Sequence, residues 1–281
     1  MLSMAATIRP TPIDDNSTVL FRSTTHRGTL LEMIYTPELG ISCYMDHVIQ
    51  SSEYDEKDYH EALVQYIMKI TNPHFVCILG GGEGATAREV LSHKEVLNAK
   101  MIDWDLDVVT VFAKRFPQWG KNVWKDPRLR IYYDDVFAIY KENRKYDVVI
   151  VDLFEPTSDS NKEWAKLISG VVKWAALGIA IYCGTRTKGS NKVPKVVDDT
   201  VAILRQNDML TEVYFKHIPS FAEFNPDAES YSEMGKLSSS NDRSYIQEEA
   251  VFIVGYIPEL KPSYCPCLSC SRCAAVSDDM T

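Results

Sequence analysis

The run Ile78-Leu79-Gly80-Gly81-Gly82-Glu83-Gly84-Ala85-Thr86-Ala87-Arg88-Glu89-Val90-Leu91 constrains this chain more than any other stretch. The end of an apolar strand, a glycine turn and the start of a helix follow one another there. In doubly wound α/β folds that junction holds nucleotide-containing ligands, outside the C-terminal ends of the strands. Gly80 and Gly82 are candidate positions for close backbone approach to such a ligand. The free N–H groups of a helix start ordinarily invite an anion. Glu83 inside the loop works against a phosphate and favours a cationic group. The loop therefore predicts a nucleoside carrying positive charge, not a dinucleotide.

The surrounding texture is α/β. Strands are predicted at His74–Leu79, Lys100–Ile102, Leu129–Tyr133, Tyr146–Val151 and Ile179–Cys183. Helices are predicted at Thr86–His93, Asp107–Phe116, Glu163–Ala176 and Val196–Asn207. This alternation implies a mainly parallel sheet covered on both faces. Two last strands, near Thr211–His217 and Ala250–Tyr256, have no helix between them and read as a hairpin with an antiparallel edge strand. That is the methyltransferase-like, Rossmann-like pattern. Upstream, Thr29–Tyr35 and Ile41–Met45 flank the turn Pro37–Gly40 as a small antiparallel segment, and Asp58–Ile70 has helical spacing. The expected organisation is a polar, loosely ordered N-terminus at 1–17 and a β-hairpin domain with a linking helix at 18–72. The methyltransferase-like domain follows at 73–258, and then a cysteine-rich tail at 259–281. The polar stretch Pro219–Arg243 reads as a lid or insertion.

A length of 281 residues suits one large domain or one domain with a small appendage. The formal charge of −9 disfavours a nucleic-acid partner, which needs a basic face. No apolar stretch is long enough to span a bilayer, and Met1–Asp15 lacks the features of a secretory signal. A cytoplasmic protein is expected. Cys43, Cys77 and Cys183 lie in apolar strand-like settings and read as buried thiols. Cys265, Cys267, Cys270 and Cys273 are packed too closely for a zinc knuckle and read as a reducible tail. A metal, redox or acylation role is the alternative there.

Successive strands end in or near an acid: Glu83, Asp103, Asp135 and Asp152. Like charges converging on one crevice are costly unless a ligand neutralises them. Asp103 stands about 20 residues past the glycine turn, where an acid accepts ribose hydroxyls. A helix N-cap is its alternative role. Asp135 is placed for a base amino group, with Asp134 beside it as the alternative contact. Beyond the strand Tyr146–Val151, Asp152 and Glu155 form a carboxylate pair suited to orient an ammonium group and accept its proton.

The glycine run resembles the aminopropyltransferase family, the spermidine and spermine synthases. Glu83 and the following Thr86-Ala87-Arg88-Glu89-Val90-Leu91 are most similar to its thermospermine synthase branch. Met45-Asp46-His47-Val48-Ile49-Gln50-Ser51-Ser52-Glu53-Tyr54-Asp55-Glu56 resembles the family's Leu-Asp-Gly-x-x-Gln…Asp-Glu stretch. Tyr59-His60-Glu61-Ala62-Leu63-Val64 again resembles the thermospermine branch, because spermidine synthases usually carry Gln where His60 stands. The resemblance runs from about residue 28 to 256.

The resemblance implies a β-hairpin domain ahead of a methyltransferase-like domain, and dimers or tetramers formed through the N-terminal β region. It implies transfer of the aminopropyl group of decarboxylated S-adenosylmethionine to a polyamine amine, with release of methylthioadenosine. The thermospermine motifs favour spermidine as acceptor, giving thermospermine or spermine. Decarboxylated S-adenosylmethionine would be a co-substrate, with no tightly bound cofactor and no metal. Residue by residue, Asp152 matches the general base, Glu83 the acid that holds the donor's amino group, Asp103 the ribose binder and Asp135 the adenine-side acid. Gln50, Tyr59 and His60 match positions lining the polyamine channel, joined on the acceptor side by Glu155 and Phe221.

Several positions depart from the family pattern. Glu155 stands for the second Asp of Asp-x-x-Asp-Pro, His47 and Val136 stand for glycines, and Phe221 lacks the hydroxyl of the usual tyrosine. The donor side is thus better matched than the acceptor side. Two other readings compete with the transferase: an N-methyltransferase using intact S-adenosylmethionine, and a divergent protein that binds nucleoside or polyamine without turnover or serves as a partner subunit.

Overall fold

A computed structural model of the chain describes residues 16–156, 160–221, 223–224 and 245–258. The expectations for 1–15, for 225–243 and for the cysteine tail lie outside the described residues.

The first four strands are β1 (Thr18–Thr24), β2 (Leu30–Thr36), β3 (Gly40–Met45) and β4 (Val48–Ser52). They form an antiparallel meander in chain order. The β3–β4 turn has positive φ at both Asp46 and His47. A two-residue hairpin of this hand favours glycine at its second position. His47 is held there by its ring Nδ1, 3.1 Å from Oε2 of the buried Glu32.

Helix α1 (Glu56–Thr71) leads into the main sheet, two residues longer at its start than its apolar spacing predicts. It stops at Asn72, in the left-handed conformation before Pro73. The sheet and its helices then alternate: β5 (Phe75–Gly80), α2 (Ala85–Leu91), β6 (Asn98–Asp103), α3 (Leu106–Arg115), β7 (Leu129–Tyr133), α4 (Val136–Ile139) and β8 (Tyr146–Asp152). After these come α5 (Asn161–Val171), β9 (Ala175–Thr187), α6 (Lys195–Gln206), β10 (Leu210–His217), the short β11 (Glu223–Phe224) and β12 (Tyr245–Ile246), and β13 (Glu248–Tyr256). The seven-stranded order is β10-β13-β9-β8-β5-β6-β7, with β9 through β7 parallel. β13 runs antiparallel to both neighbours and leaves β10 at the edge.

Runs such as Val148-Val149-Ile150-Val151 are wholly buried because helices cover both faces. On one face Ile78, Val148 and Ile150 pack with Leu63 and Ile67 of α1 and Val90 of α2. On the other, Cys77, Leu79, Val149 and Val151 pack with Trp164 and Ile168 of α5 and Leu204 of α6. A third cluster joins Leu31, Met33 and Cys43 of the first sheet to Phe112, Phe116 and Trp119. Trp119 donates its indole N–H to Ser51 at 2.8 Å. The first sheet is therefore fixed against α3, beside the C-terminal ends of β5 and β6. Strand order reverses about β5, whose neighbours are β6 on one side and β8 on the other. That switch point opens a crevice at the glycine loop.

The largest departures from the expected boundaries are at α5 and β9. β9 spans Ala175–Thr187 instead of Ile179–Cys183, and the helix before it ends at Val171 instead of Ala176. A 3₁₀ turn at Val172–Trp174 swings the buried Trp174 ring inward and starts the strand early.

Candidate active site

The loop between β5 and α2 is set by two close approaches. Gly80 is the register partner of Asp152, with φ of +82°, and any side chain there would collide with the Asp152 backbone carbonyl. A Cβ on Gly82 would lie 2.7 Å from Oδ2 of Asp103. Both strand-end acids thus sit directly against the loop.

Asp103 accepts the backbone N–H of Asp105 at 2.9 Å and that of Gly82. Burial pushes its pKa up to about 6, outweighing those hydrogen bonds, and the charges of Asp105 and Asp152 add to the rise. Asp103 does not cap the next helix. Asp105 does, accepting from the N–H groups of Asp107 and Val108. Asp103 is left facing the loop. Asp135 behaves differently: it is exposed, and its Oδ1 caps α4 by accepting from Phe137 at 2.9 Å.

Asp152 ends β8 and receives a hydroxyl on each carboxylate oxygen. Tyr59 of α1 donates to Oδ1 at 3.0 Å, and Thr86 of α2 donates to Oδ2. Burial, together with the Asp152 charge, pushes the Tyr59 phenol well above its ordinary pKa, so it stays a donor. The Tyr59 ring lies 5.4 Å from Tyr182, 5.4 Å from Phe252 and 5.8 Å from Phe221. Phe221 is buried in this wall because Asp55 anchors the adjacent turn, accepting the Ser220 N–H at 2.7 Å and its hydroxyl at 2.8 Å.

Beside Asp152 a charged row runs from α2 to the loop. Arg88 forks onto both carboxylate oxygens of Glu56 at 2.9 Å. His60, 1% exposed, meets the Glu56 carbonyl oxygen with Nδ1 at 2.6 Å. Its Nε2 lies 2.7 Å from Oε1 of Glu83, an ion-pair contact off the hydrogen-bonding axis. Burial alone would discharge the imidazole. Glu83, Glu56 and Asp152 outweigh it and push the His60 pKa up to about 10. Burial also raises the Glu83 pKa, against the lowering pull of His60.

The structure thus brings Gly80, Gly82, Glu83, Asp103, Asp152, Tyr59 and His60 into one crevice and sets Phe221 in its wall. Gln50 is exposed at β4, where its amide donates to the Val48 carbonyl at 3.1 Å. Glu155 is exposed too, with Oε1 accepting from the Thr185 N–H at 3.1 Å. Val136, in place of a family glycine, is buried in the first turn of α4. Sequence reasoning missed Thr86 and Arg88 as site residues, although both stand in the glycine run, and it missed the anchor Asp55. A surface hollow lined by Tyr140, Lys141, Lys166 and Trp174 shares no residue with the crevice. Chemically, the crevice offers an acid for ribose, buried carboxylates for an ammonium group, and a fixed carboxylate able to take a proton.

Among solved structures, the spermidine synthase from Thermotoga maritima superposes with a TM-score of 0.60 at 20% identity, covering 87% of this chain and 74% of that one. A spermidine synthase in complex with the transition-state analogue AdoDATO gives 0.62 at 21%, covering 87% and 75%. At these identities the likeness shows the shared fold. The polyamine aminopropyltransferase of Pyrobaculum aerophilum is 38% identical over 204 residues, 70% of this chain and 69% of that protein. Its counterpart in Pyrobaculum neutrophilum is 37% identical over 198 residues, 66% of each chain. That of Sulfurisphaera tokodaii is 39% identical over 157 residues, so the match spans only about half of that relative's length (51%). The family model for the spermine/spermidine synthase domain matches residues 56–225. On that match, and on the relatives that share its sequence, the chain belongs to the spermine/spermidine synthase family.

Proposed function

We propose that this protein transfers the aminopropyl group of decarboxylated S-adenosylmethionine to a polyamine amine and releases methylthioadenosine. The observation that carries the reading is the Asp152 carboxylate, held by Tyr59 and Thr86 at the switch point beside Glu83 and Asp103. Asp103 takes the ribose hydroxyls. Glu83 takes the propylamine nitrogen of the donor, and Asp135, at the start of α4, takes the adenine side.

The acceptor amine arrives protonated, since free amines of this type have a pKa near 10. Asp152 accepts that proton as the nitrogen approaches. The nitrogen lone pair forms the new N–C bond while the C–S pair returns to the sulfonium, leaving a neutral thioether. The wall of Tyr59, Tyr182, Phe221 and Phe252 excludes water and guides the aliphatic stem of the acceptor. Alignment of nitrogen, carbon and sulfur supplies much of the remaining acceleration. Intact S-adenosylmethionine would bring a carboxylate against Glu83, a repulsion of up to several kcal/mol in a partly dry site.

Spermidine is the proposed acceptor, on the likeness of the glycine run and the Tyr59-His60 motif to the thermospermine branch. Gln50, His60 and Phe221 are assigned to its path, and Glu155, latched onto Thr185, lies beside it. A cytoplasmic homo-oligomer fits the family. Among the described residues no helix is long and apolar enough to cross a membrane. The test is incubation with decarboxylated donor and putrescine, spermidine or spermine, following methylthioadenosine by chromatography. Release with spermidine is expected, and no release with any of the three rejects the proposal.

A further inference from the structure

The position of His60 creates a conflict that the donor reading must resolve. Glu83 is the carboxylate proposed to hold the donor's ammonium, yet in the structure it already faces a cation. The carboxylates around His60 hold it in that state against the cost of burial. On its own helix Glu56 engages Nδ1 with its carbonyl oxygen at 2.6 Å and lies 3.2 Å away through Oε2. From the glycine loop, Glu83 faces Nε2 at 2.7 Å. Asp152 adds its charge from β8, and the Tyr59 ring meets His60 edge-on at 4.9 Å. Arg88 stands behind Glu56 and balances that carboxylate, while Cys43 of β3 is buried near Glu83. Both ring nitrogens therefore face oxygen, and only the doubly protonated ring turns a proton toward each. An arriving ammonium cannot share Glu83 with an imidazolium in a site this buried without strong repulsion.

We propose that His60 is a proton-coupled reader of the donor's amine: binding of the donor ammonium at Glu83 expels the Nε2 proton of His60 to solvent, and the bared Nε2 then accepts one N–H of that ammonium. The charge balance is one cation exchanged for another. His60 keeps its Nδ1–H on the Glu56 carbonyl throughout, so the neutral ring is left in a single tautomer. Glutamine could accept from the amine as well, but it has no proton to expel. The exchange predicts that donor affinity rises with pH, by up to tenfold per pH unit, from neutrality toward the range where free His60 loses its own charge. Methylthioadenosine, which lacks the amine, leaves the His60–Glu83 pair intact.

The inference rests on the donor reading of Glu83, and one titration separates the two. Decarboxylated S-adenosylmethionine and methylthioadenosine are each titrated into the full chain by calorimetry, in buffers of differing ionisation enthalpy. At pH 8, above the range in which Asp103 titrates, release of about one proton is expected with the donor and none with methylthioadenosine; in His60→Gln neither ligand releases a proton. Binding of both ligands with equal proton release overturns this inference alone. Binding of neither overturns the donor reading and this inference with it. Nitrogen-15 shifts of the wild-type histidines report the same event without a variant. An imidazolium in the free protein and an Nδ1–H neutral ring in the donor complex are expected, and an imidazolium in both overturns the proposal.

Discussion

The hydroxyl of Thr86 donates to Oδ2 of Asp152 and ties the first turn of α2 to the end of β8. The proposed base therefore has little rotational freedom, since Tyr59 holds its other oxygen. Removing the hydroxyl while keeping the shape isolates this positioning. Thr86→Val should lower kcat by roughly tenfold, with the polyamine KM nearly unchanged. Thr86 is fully buried, so the near-isosteric swap keeps the packing. Steady-state kinetics on methylthioadenosine release checks the split, and an unchanged kcat would remove Thr86 from the mechanism.

Asp152→Asn tests the base itself. The amide keeps the volume and can still meet Tyr59 and Thr86, but it cannot take a proton. Turnover should fall by about 10²- to 10⁴-fold, the usual contribution of a positioned base. Methylthioadenosine binding should change little, because Asp103 and the loop remain. Near-normal turnover in this variant would show that another group is the base.

The two loop glycines should fail in different ways. Gly80 combines positive φ with backbone contact to Asp152, so Gly80→Ala should destabilise the fold by about 2 kcal/mol or more. At Gly82 the backbone suits other residues, and the obstacle is the Asp103 carboxylate at 2.7 Å. Gly82→Ala should fold and bind methylthioadenosine about tenfold more weakly, through displacement of Asp103. Thermal denaturation and titration of each variant make the comparison. Equal losses of stability would contradict the distinction.

Much of this arrangement is legible in the sequence, and the exceptions share a physical cause. Strand β7 matches its predicted span, Leu129–Tyr133, because its apolar run is bounded by turn residues. The strand-end acids are visible because parallel strands deliver their C-terminal residues to one edge. Which acid does which task is not visible. Asp103 and Asp135 occupy equivalent positions in sequence, yet Asp105 relieves the first of capping duty while Asp135 caps α4 itself. The Thr86–Asp152 bond spans 66 positions and depends on the register of β5 against β8, which no local pattern encodes. The ends of α5 and β9 depart from their local patterns because burial of Trp174, a tertiary demand, overrides helical spacing.

The pH response of nucleoside binding follows from Asp103. Its pKa is raised by burial from the ordinary 3.8 to about 6. Between those values the folded protein keeps a proton that the unfolded chain has lost. The acid's contribution to stability is therefore full below 3.8 and gone as pH rises through about 6. Ligand binding runs the opposite way, since ribose hydroxyls donate to the charged form. Methylthioadenosine affinity should rise by about tenfold between pH 5 and pH 7. Asp103→Asn should bind weakly and show no such rise, and a matching rise in that variant would assign the titration elsewhere.

Glu155 carries the last prediction. Its carboxylate is turned onto the end of β9, where Oε1 accepts the Thr185 N–H at 3.1 Å and lies 3.3 Å from the Thr185 hydroxyl. Gly184 makes room for it: a Cβ there would come within 2.9 Å of the same oxygen. The extra methylene that distinguishes Glu155 from the family's aspartate is what lets it reach Thr185. Glu155→Asp retracts the carboxylate by about 1 Å and releases it from that latch, toward the acceptor's path. Because the residue is exposed, stability should change by less than about 0.5 kcal/mol. The polyamine KM should fall severalfold while donor affinity holds. A KM that stays constant across putrescine, spermidine and spermine would mean that Glu155 serves only to fasten β9, with acceptor choice set by the aromatic wall around Tyr59.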